Sequence, residues 1–194
     1  DVNLKISKIL KNMLEDKGFQ VILTRDVDRF VTLNDRTKIA NEAGADIFIS
    51  VHANASTNKK ARGFISFFLS DAKTDQARAA AALENASIRF ESSQSQKDYV
   101  SDLDFILLDM VQSEFLKESA DLAAMIEQNI QKHTKIDSRG VDQAGFFVLN
   151  KAYMPSVLIE SAFISNKKDE KLLKSEKTHS DIARSITESV YQFK

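Results

Sequence analysis

The sequence predicts an α/β fold in one domain, a twisted mixed sheet, largely parallel, with helices on both faces. Three observations carry that expectation. Ser156-Val-Leu-Ile-Glu160-Ser-Ala-Phe163 sets three consecutive aliphatics, two of them β-branched, in the pattern of a strand buried on both faces. Asp46-Ile-Phe-Ile-Ser-Val-His52 has the same shape. Between Phe19 and His52 the pattern switches from strand to helix and back through short loops, a β-α-β unit that should cross over right-handed into a parallel sheet.

The elements follow in order. Val2, Ile6, Ile9, Leu10, Met13 and Leu14 fall at helical spacing, and Gly18 provides a C-terminal stop. Phe19–Thr24 is expected as a strand, and Asp26-Val-Asp28 as a turn. Thr32 and Asp35 form a capping pattern ahead of a helix carrying Arg36, Ile39, Ala40 and Ala43, which Gly44 ends. The strand to His52 comes next, then a polar loop from Asn54 to Arg62. Gly63–Ser70 is aromatic and expected as a strand, and the Ala-rich stretch from about Asp71 to Phe90 as a helix.

Residues 91–101 are polar and low in complexity, so a loop is expected there. Leu103, Ile106, Leu107, Met110 and Val111 mark one helix, and Leu122, Ala123, Met125, Ile126 and Ile130 a further helical segment. Gly145–Leu149 is expected as a strand. Pro155 opens the Glu160 strand at a position where proline is tolerated. Asn166 caps a short charged helix, and Ile182, Ile186 and Val190 mark the last one.

The bulk composition excludes several classes. With 194 residues, 43% hydrophobic and 28% charged, the chain is an ordinary globular one with enough length for a real core. A net charge of -1, from 27 basic and 28 acidic residues, leaves no electrostatic footprint for nucleic acid or an anionic membrane. No apolar run approaches the roughly 20 residues of a membrane span. Cysteine is absent, which excludes disulfides, thiol catalysis and cysteine-ligated zinc. With three histidines, any metal site must combine His with carboxylate.

In open α/β sheets ligands bind at the carboxyl ends of strands, and here two buried strands deliver His52 and Glu160 there. His52 has three readings: a satisfied core polar group, a metal ligand or a general base. Glu160 is either a strand-end carboxylate held by backbone amides or an Arg, or the group that takes a proton from an attacking water and returns it to a leaving amine. A buried lone carboxylate is costly and is usually paired, metal-linked or protonated. Together the two residues suggest metal-assisted hydrolysis. His133 and His179 sit near helix ends in polar context and are expected to be ordinary. Asp26 and Asp28 lack the Gly and terminal Glu of a calcium loop.

These words occur in an order that resembles a known family: Leu23-Thr-Arg25 followed by Asp28, Leu33-x-x-Arg36, Ala40-Asn41, Ala45-Asp46 through Ser50-Val-His52-Ala-Asn54, Gly63, Arg139-Gly-Val141, Phe147-Val-Leu149, Pro155 through Glu160, and Phe163-Ile-Ser-Asn166. The chain resembles the zinc-dependent N-acetylmuramoyl-L-alanine amidases of bacterial cell division and sporulation, over most of its length apart from roughly residues 84–115. The resemblance implies one catalytic zinc and cleavage of the amide joining muramic acid to L-alanine in peptidoglycan. It makes His52 a zinc ligand, Glu160 the catalytic carboxylate and Asn54 a residue that shapes the substrate site. Arg36 and Asp28 match family positions in a structural or a functional role.

Family members begin with a strand that ends in a His-bearing Gly-rich loop, then a Glu just before the first helix. The resemblance therefore places that strand and two further zinc ligands upstream of Asp1. It also makes residues 92–115 a helical insertion, a lid whose Glu91 or Glu114 reaches the zinc until an activator protein displaces it; the plain alternative is a helix packed permanently on the sheet. A monomer acting in the periplasm, cell envelope or outside the cell is implied. The competing reading is a catalytically incompetent peptidoglycan-binding or regulatory module with the same fold.

Overall fold

Strand β4 (Ser156–Phe163) is buried at every position and organises the molecule. It lies inside a four-stranded sheet of order β1-β4-β2-β3, with β1 at Phe48–Asn54, β2 at Phe64–Leu69 and β3 at Ser138–Ala144. β1 runs parallel to β4, β2 antiparallel to β4, and β3 parallel to β2, so the sheet is mixed as expected. The computed structural model describes residues 1–90 and 102–194, with side chains described through 90 and from 114 onward. Among the described residues six α-helices surround the sheet: α1 (Val2–Glu15), α2 (Leu33–Glu42), α3 (Asp75–Asn85), α4 (Asp102–His133), α5 (Lys167–Leu173) and α6 (Glu176–Phe193).

Alternation along the strands builds two apolar layers. Phe64, Val157 and Ile159 turn to one face and meet Ile6 and Leu10 of α1, Leu122, Ile126 and Ile130 of α4, and Ile182 and Ile186 of α6. Phe48, Ile65, Phe67 and Leu158 turn to the other and meet Leu33 and Ala40 of α2, Ala77, Ala80 and Ala81 of α3, and Phe146 and Leu149. Each such fully buried Leu, Ile or Phe side chain stabilises the fold by about 1.5–3 kcal/mol relative to exposure. The helices start where their caps allow. Thr32 accepts from the Asp35 N–H, Thr74 from Ala77, and Asn166 from Lys168 and Asp169. Among the described residues no helix is long and apolar enough to cross a membrane.

Three expectations are corrected. Phe19–Thr24 is not a ladder strand, so the expected first β-α-β unit lacks its opening strand. The segment is tied to α1 through Phe19 N–H to Leu14 and the Lys11 ammonium to the Val21 carbonyl, and among the described residues β1 is an edge strand. Gly145–Leu149 is no strand either. Phe147–Leu149 is a 3-10 turn that tucks Val148 and Leu149 into the core, and the preceding Phe146 ring packs 4.9 Å from Phe67. The strand comes earlier, in polar Ser138–Ala144, because an edge strand needs only one apolar face. The two helical segments expected between 103 and 130 are one continuous helix, α4, and residues 91–101 of the expected insertion lie outside the described residues.

Glu127 of α4 is buried against the sheet, where it accepts a hydrogen bond from the Ser138 hydroxyl and leaves Oε1 without a partner. Burial pushes its carboxyl up to about 7, against the opposing pull of that hydrogen bond. A folded-state value above the unfolded one means this group's contribution is fully present below about pH 4.5 and is lost as pH rises through about 7. Glu127→Gln is therefore expected to melt above the parent at about pH 8, by roughly 2–4 °C per kcal/mol gained, with the gap closing toward about pH 5. A gap that is constant with pH would show that Glu127 does not titrate in this range.

Candidate active site

The parallel register of β1 and β4 places His52 directly beside Glu160. Both belong to the face lined by Phe48 and Leu158, since side chains two and four residues apart share a face. The register slips between His52 and Asn54, where β4 carries an extra residue. Such a bulge bends a strand where its pairing ends. Buried Asn54 accepts the Ile164 N–H on its backbone carbonyl at 2.8 Å, which pins the two strand ends together.

The loop that follows is held by the C-terminal end of β4. The Ser165 hydroxyl accepts from Ser56 N–H, and the Asn166 side-chain amide donates to the Lys59 carbonyl. Buried Asp169 accepts from both Gly63 N–H, at 2.7 Å, and Phe163 N–H, at 3.0 Å. Gly63 has φ +107°, and a Cβ there would lie 2.5 Å from the Asp137 carbonyl, so glycine is required. Arg139 donates to the Arg62 carbonyl and lies over the Phe163 ring at 5.7 Å, closing the same corner.

His52 uses both ring nitrogens. Nδ1 is 2.6 Å from a Glu84 carboxylate oxygen and Nε2 is 2.8 Å from the Ser50 hydroxyl. A neutral imidazole satisfies both at once, with Nδ1–H donating to Glu84 and Nε2 accepting from Ser50. Glu84 arrives from the last turn of α3, and both ends of that helix are clamped. Thr74 donates to Asp142, while the Asn85 side chain donates to the Gly145 carbonyl and accepts from Phe147 N–H.

Glu160 is 1% exposed, and its Oε2 has no hydrogen-bond partner among the described residues. Its carboxyl is raised well above the ordinary range, first by burial and then by the negative charge of Glu84. A carboxyl so placed holds a proton more tightly than an ordinary carboxylate, which suits the acid half of general acid–base chemistry.

A cleft of about 540 Å³ runs along the open edge of β1, between that strand, α1, the 19–25 segment and α2, and reaches His52 at one end. Arg36 of α2 lines it, donating from Nε to the Val31 carbonyl at 3.2 Å and from Nη1 to the Thr24 hydroxyl at 3.5 Å. Burial, and next the charge of Arg25, lower its pKa, while Glu84 works the other way. Asp28 is 95% exposed and only brushes Arg25 at 3.3 Å.

Of the residues expected from the sequence, His52 and Glu160 come together, with Asn54 at the same strand end. Glu84 was not expected, yet it is the carboxylate against His52. Its signal lay in the spacing of Ala77, Ala80 and Ala81, which puts Glu84 on the buried face of α3. Glu91 lies outside the described residues. Glu114 is exposed on α4, and Ser119 of that helix receives the N–H of Ser156 at the end of β4 away from Glu160. His133 pairs with Glu188, and His179 is buried and bound to the Leu173 carbonyl instead of meeting solvent.

The chain matches the N-acetylmuramoyl-L-alanine amidase family over residues 1–192. It is 36% identical over 195 residues to N-acetylmuramoyl-L-alanine amidase AmiA of Escherichia coli (strain K12), covering 99% of this chain and 67% of that protein. It is 34% identical over 200 residues to AmiC of Neisseria meningitidis serogroup B, covering 99% of this chain but only 46% of that protein. The solved N-acetylmuramoyl-L-alanine amidase from Clostridium difficile 630 matches with a TM-score of 0.73 at 26% identity, covering 100% of this chain and 82% of that one.

Replacing Glu84 by Gln removes the like charge beside Glu160 and should lower the Glu160 pKa while burial keeps it above the ordinary range. A carboxyl-carbon NMR titration of the two proteins checks this; an unmoved Glu160 titration would mean that the two carboxylates are not coupled.

Proposed function

The chain belongs to the N-acetylmuramoyl-L-alanine amidase family, and from that premise we propose that it cuts the amide between muramic acid and L-alanine in peptidoglycan, with Glu160 as the proton-transfer group. One observation supports this most: His52 and the buried Glu160, whose Oε2 has no hydrogen-bond partner among the described residues, are registered neighbours at the carboxyl ends of two parallel strands. The competing reading, an inert wall-binding module, has no use for an unpaired carboxylate that destabilises its core.

Amide hydrolysis needs a base for the attacking water and an acid for the departing amine. Glu160 performs both, taking the water proton as the oxygen adds to the carbonyl and returning it to the nitrogen as the C–N bond breaks. Its raised pKa makes the second half efficient. Asn54, at the bulged end of β1, borders the position of the substrate.

His52 is the proposed zinc ligand. Imidazole nitrogen suits zinc, but among the described residues no three His, Asp or Glu side chains converge on a metal position. The remaining donors, a His and a Glu, are proposed to lie upstream of Asp1. The cleft supports that placement, because the open edge of β1 and the unpaired Phe19–Thr24 segment both line it, and a strand seated there would pair with either. Zinc, when bound, lowers the pKa of a water toward about 7 and polarises the scissile carbonyl.

Both His52 nitrogens are engaged here, so a ligating imidazole must first release Ser50 or Glu84. Releasing Ser50 frees Nε2 for a metal while Glu84 still accepts from Nδ1–H and orients the ring. The site of action is then the cell envelope, where the substrate lies.

The test uses the protein with its upstream residues and zinc bound. Glu160→Gln should lower release of peptides with a free L-alanine amine by about 10²–10⁴-fold, with zinc content unchanged. His52→Ala should lose metal and activity together. Full turnover by Glu160→Gln would remove Glu160 from the chemistry.

A further inference from the structure

We propose that Lys59, Lys60, Arg62, Arg139, Lys167 and Lys168 form a cationic rim at the Glu160 end of the sheet, which holds the carboxylates of neighbouring stem peptides on a peptidoglycan strand. The inference rests on the amidase reading and adds how the protein stays on its polymer.

Three elements bring these residues together: the loop after β1, the start of α5 and the start of β3. Two hydrogen bonds fix the loop against α5. The Asn166 side-chain amide donates to the Lys59 carbonyl at 2.8 Å, one residue before Lys167. Gly63 N–H donates to the Asp169 carboxylate at 2.7 Å, one residue after Lys168. Lys59, Lys60 and Arg62 therefore run beside Lys167 and Lys168 between two fixed points. Arg139 joins them from β3, donating to the Arg62 carbonyl at 3.1 Å with its guanidinium over the Phe163 ring.

The strand registers set the rim beside the site. Glu160 pairs with His52 on one side and with Ile65 on the other, and Phe64, next to Ile65, pairs with Ser138. Two strand spacings, about 10 Å, therefore separate the start of β3 from Glu160.

The positive charge of the rim is not cancelled. All six residues are exposed, on a chain whose net charge is only -1. The carboxylates around them are already engaged. Asp137 pairs with Arg62 at 2.5 Å, and buried Asp169 accepts two backbone N–H groups. Glu170 is held chiefly by Lys174, at 2.6 Å, with Lys167 a weaker influence. Among the described residues no carboxylate lies within ion-pair distance of Lys59, Lys60, Arg139, Lys167 or Lys168.

One exposed ammonium gains little from one carboxylate. Several fixed cations facing a polymer that repeats its carboxylates bind it jointly, because each contact after the first is intramolecular. The rim therefore suits a repeating polyanion better than a single small anion. Stem peptides with free carboxylates recur along a glycan strand, and a strand with one amide at Glu160 continues past the site over the rim.

The experiment is co-sedimentation with insoluble peptidoglycan freed of phosphate-bearing polymers, with a chelator present so that no bond is cut. Binding is thereby read apart from turnover, and failure of the amidase reading would show only as a lack of peptide release. Converting the peptidoglycan carboxylates to methylamides should weaken binding of the parent by about 10-fold at low salt. Lys59→Gln, Lys60→Gln, Lys167→Gln and Lys168→Gln combined should lose a similar factor on unmodified peptidoglycan, and added salt should erase the difference. An unchanged melting temperature checks the fold of that variant, and Lys59→Glu with Lys60→Glu replaces it should it misfold. Equal binding of the parent to both forms of peptidoglycan, or a folded variant that binds as tightly as the parent, overturns the rim. Tighter capture of the parent by phosphatidylglycerol vesicles than by peptidoglycan also overturns it and assigns these residues to a lipid surface.

Discussion

The parallel pairing of β1 with β4 is the constraint on which the rest of the molecule depends. Its register sets His52 against Glu160, and a slip of one residue would turn one of them to the opposite face. That register is fixed by burial, since every residue of β4 is covered and its alternate side chains feed two different apolar layers. The bulge after His52 and the Asn54–Ile164 bond end the pairing there, and Asp169 and Asn166 then carry the chain around the site.

The electrostatics follow from that placement. Burial raises the proton affinity of Glu160, and Glu84 raises it further. The same Glu84 carboxylate bonds His52 and acts through its charge on Glu160 and Arg36. The Thr74 bond to Asp142 at the start of α3 and the two Asn85 bonds at its end hold the helix in place by specific contacts.

Much of this was legible in the sequence because it rests on local signals. The aliphatic runs ending in His52 and Glu160 marked buried strands, and Thr32 and Asn166 marked helix starts. What escaped depends on neighbours. Phe19–Thr24 has strand composition, yet a strand exists only when something pairs with it, and no described residue does so. Ser138–Ala144 is too polar to stand out, and its pairing with β2 is a tertiary fact. Gly145–Leu149 has the apolar content of a strand but spends it on a turn that packs Phe146 against Phe67. Glu84 was hidden in an alanine-rich helix whose face was known only by spacing, and nothing local joined it to a histidine 32 positions earlier.

Anomalous diffraction at the zinc edge, on crystals of the protein soaked with zinc, tests the pairing of His52 with Glu160. The account predicts a single peak at a His52 ring nitrogen, at about 2.0–2.1 Å, with Glu160 beside the metal but not ligating it. A peak away from His52, or one ligated by Glu160 itself, would contradict the assignment of these two neighbouring residues to metal binding and proton transfer.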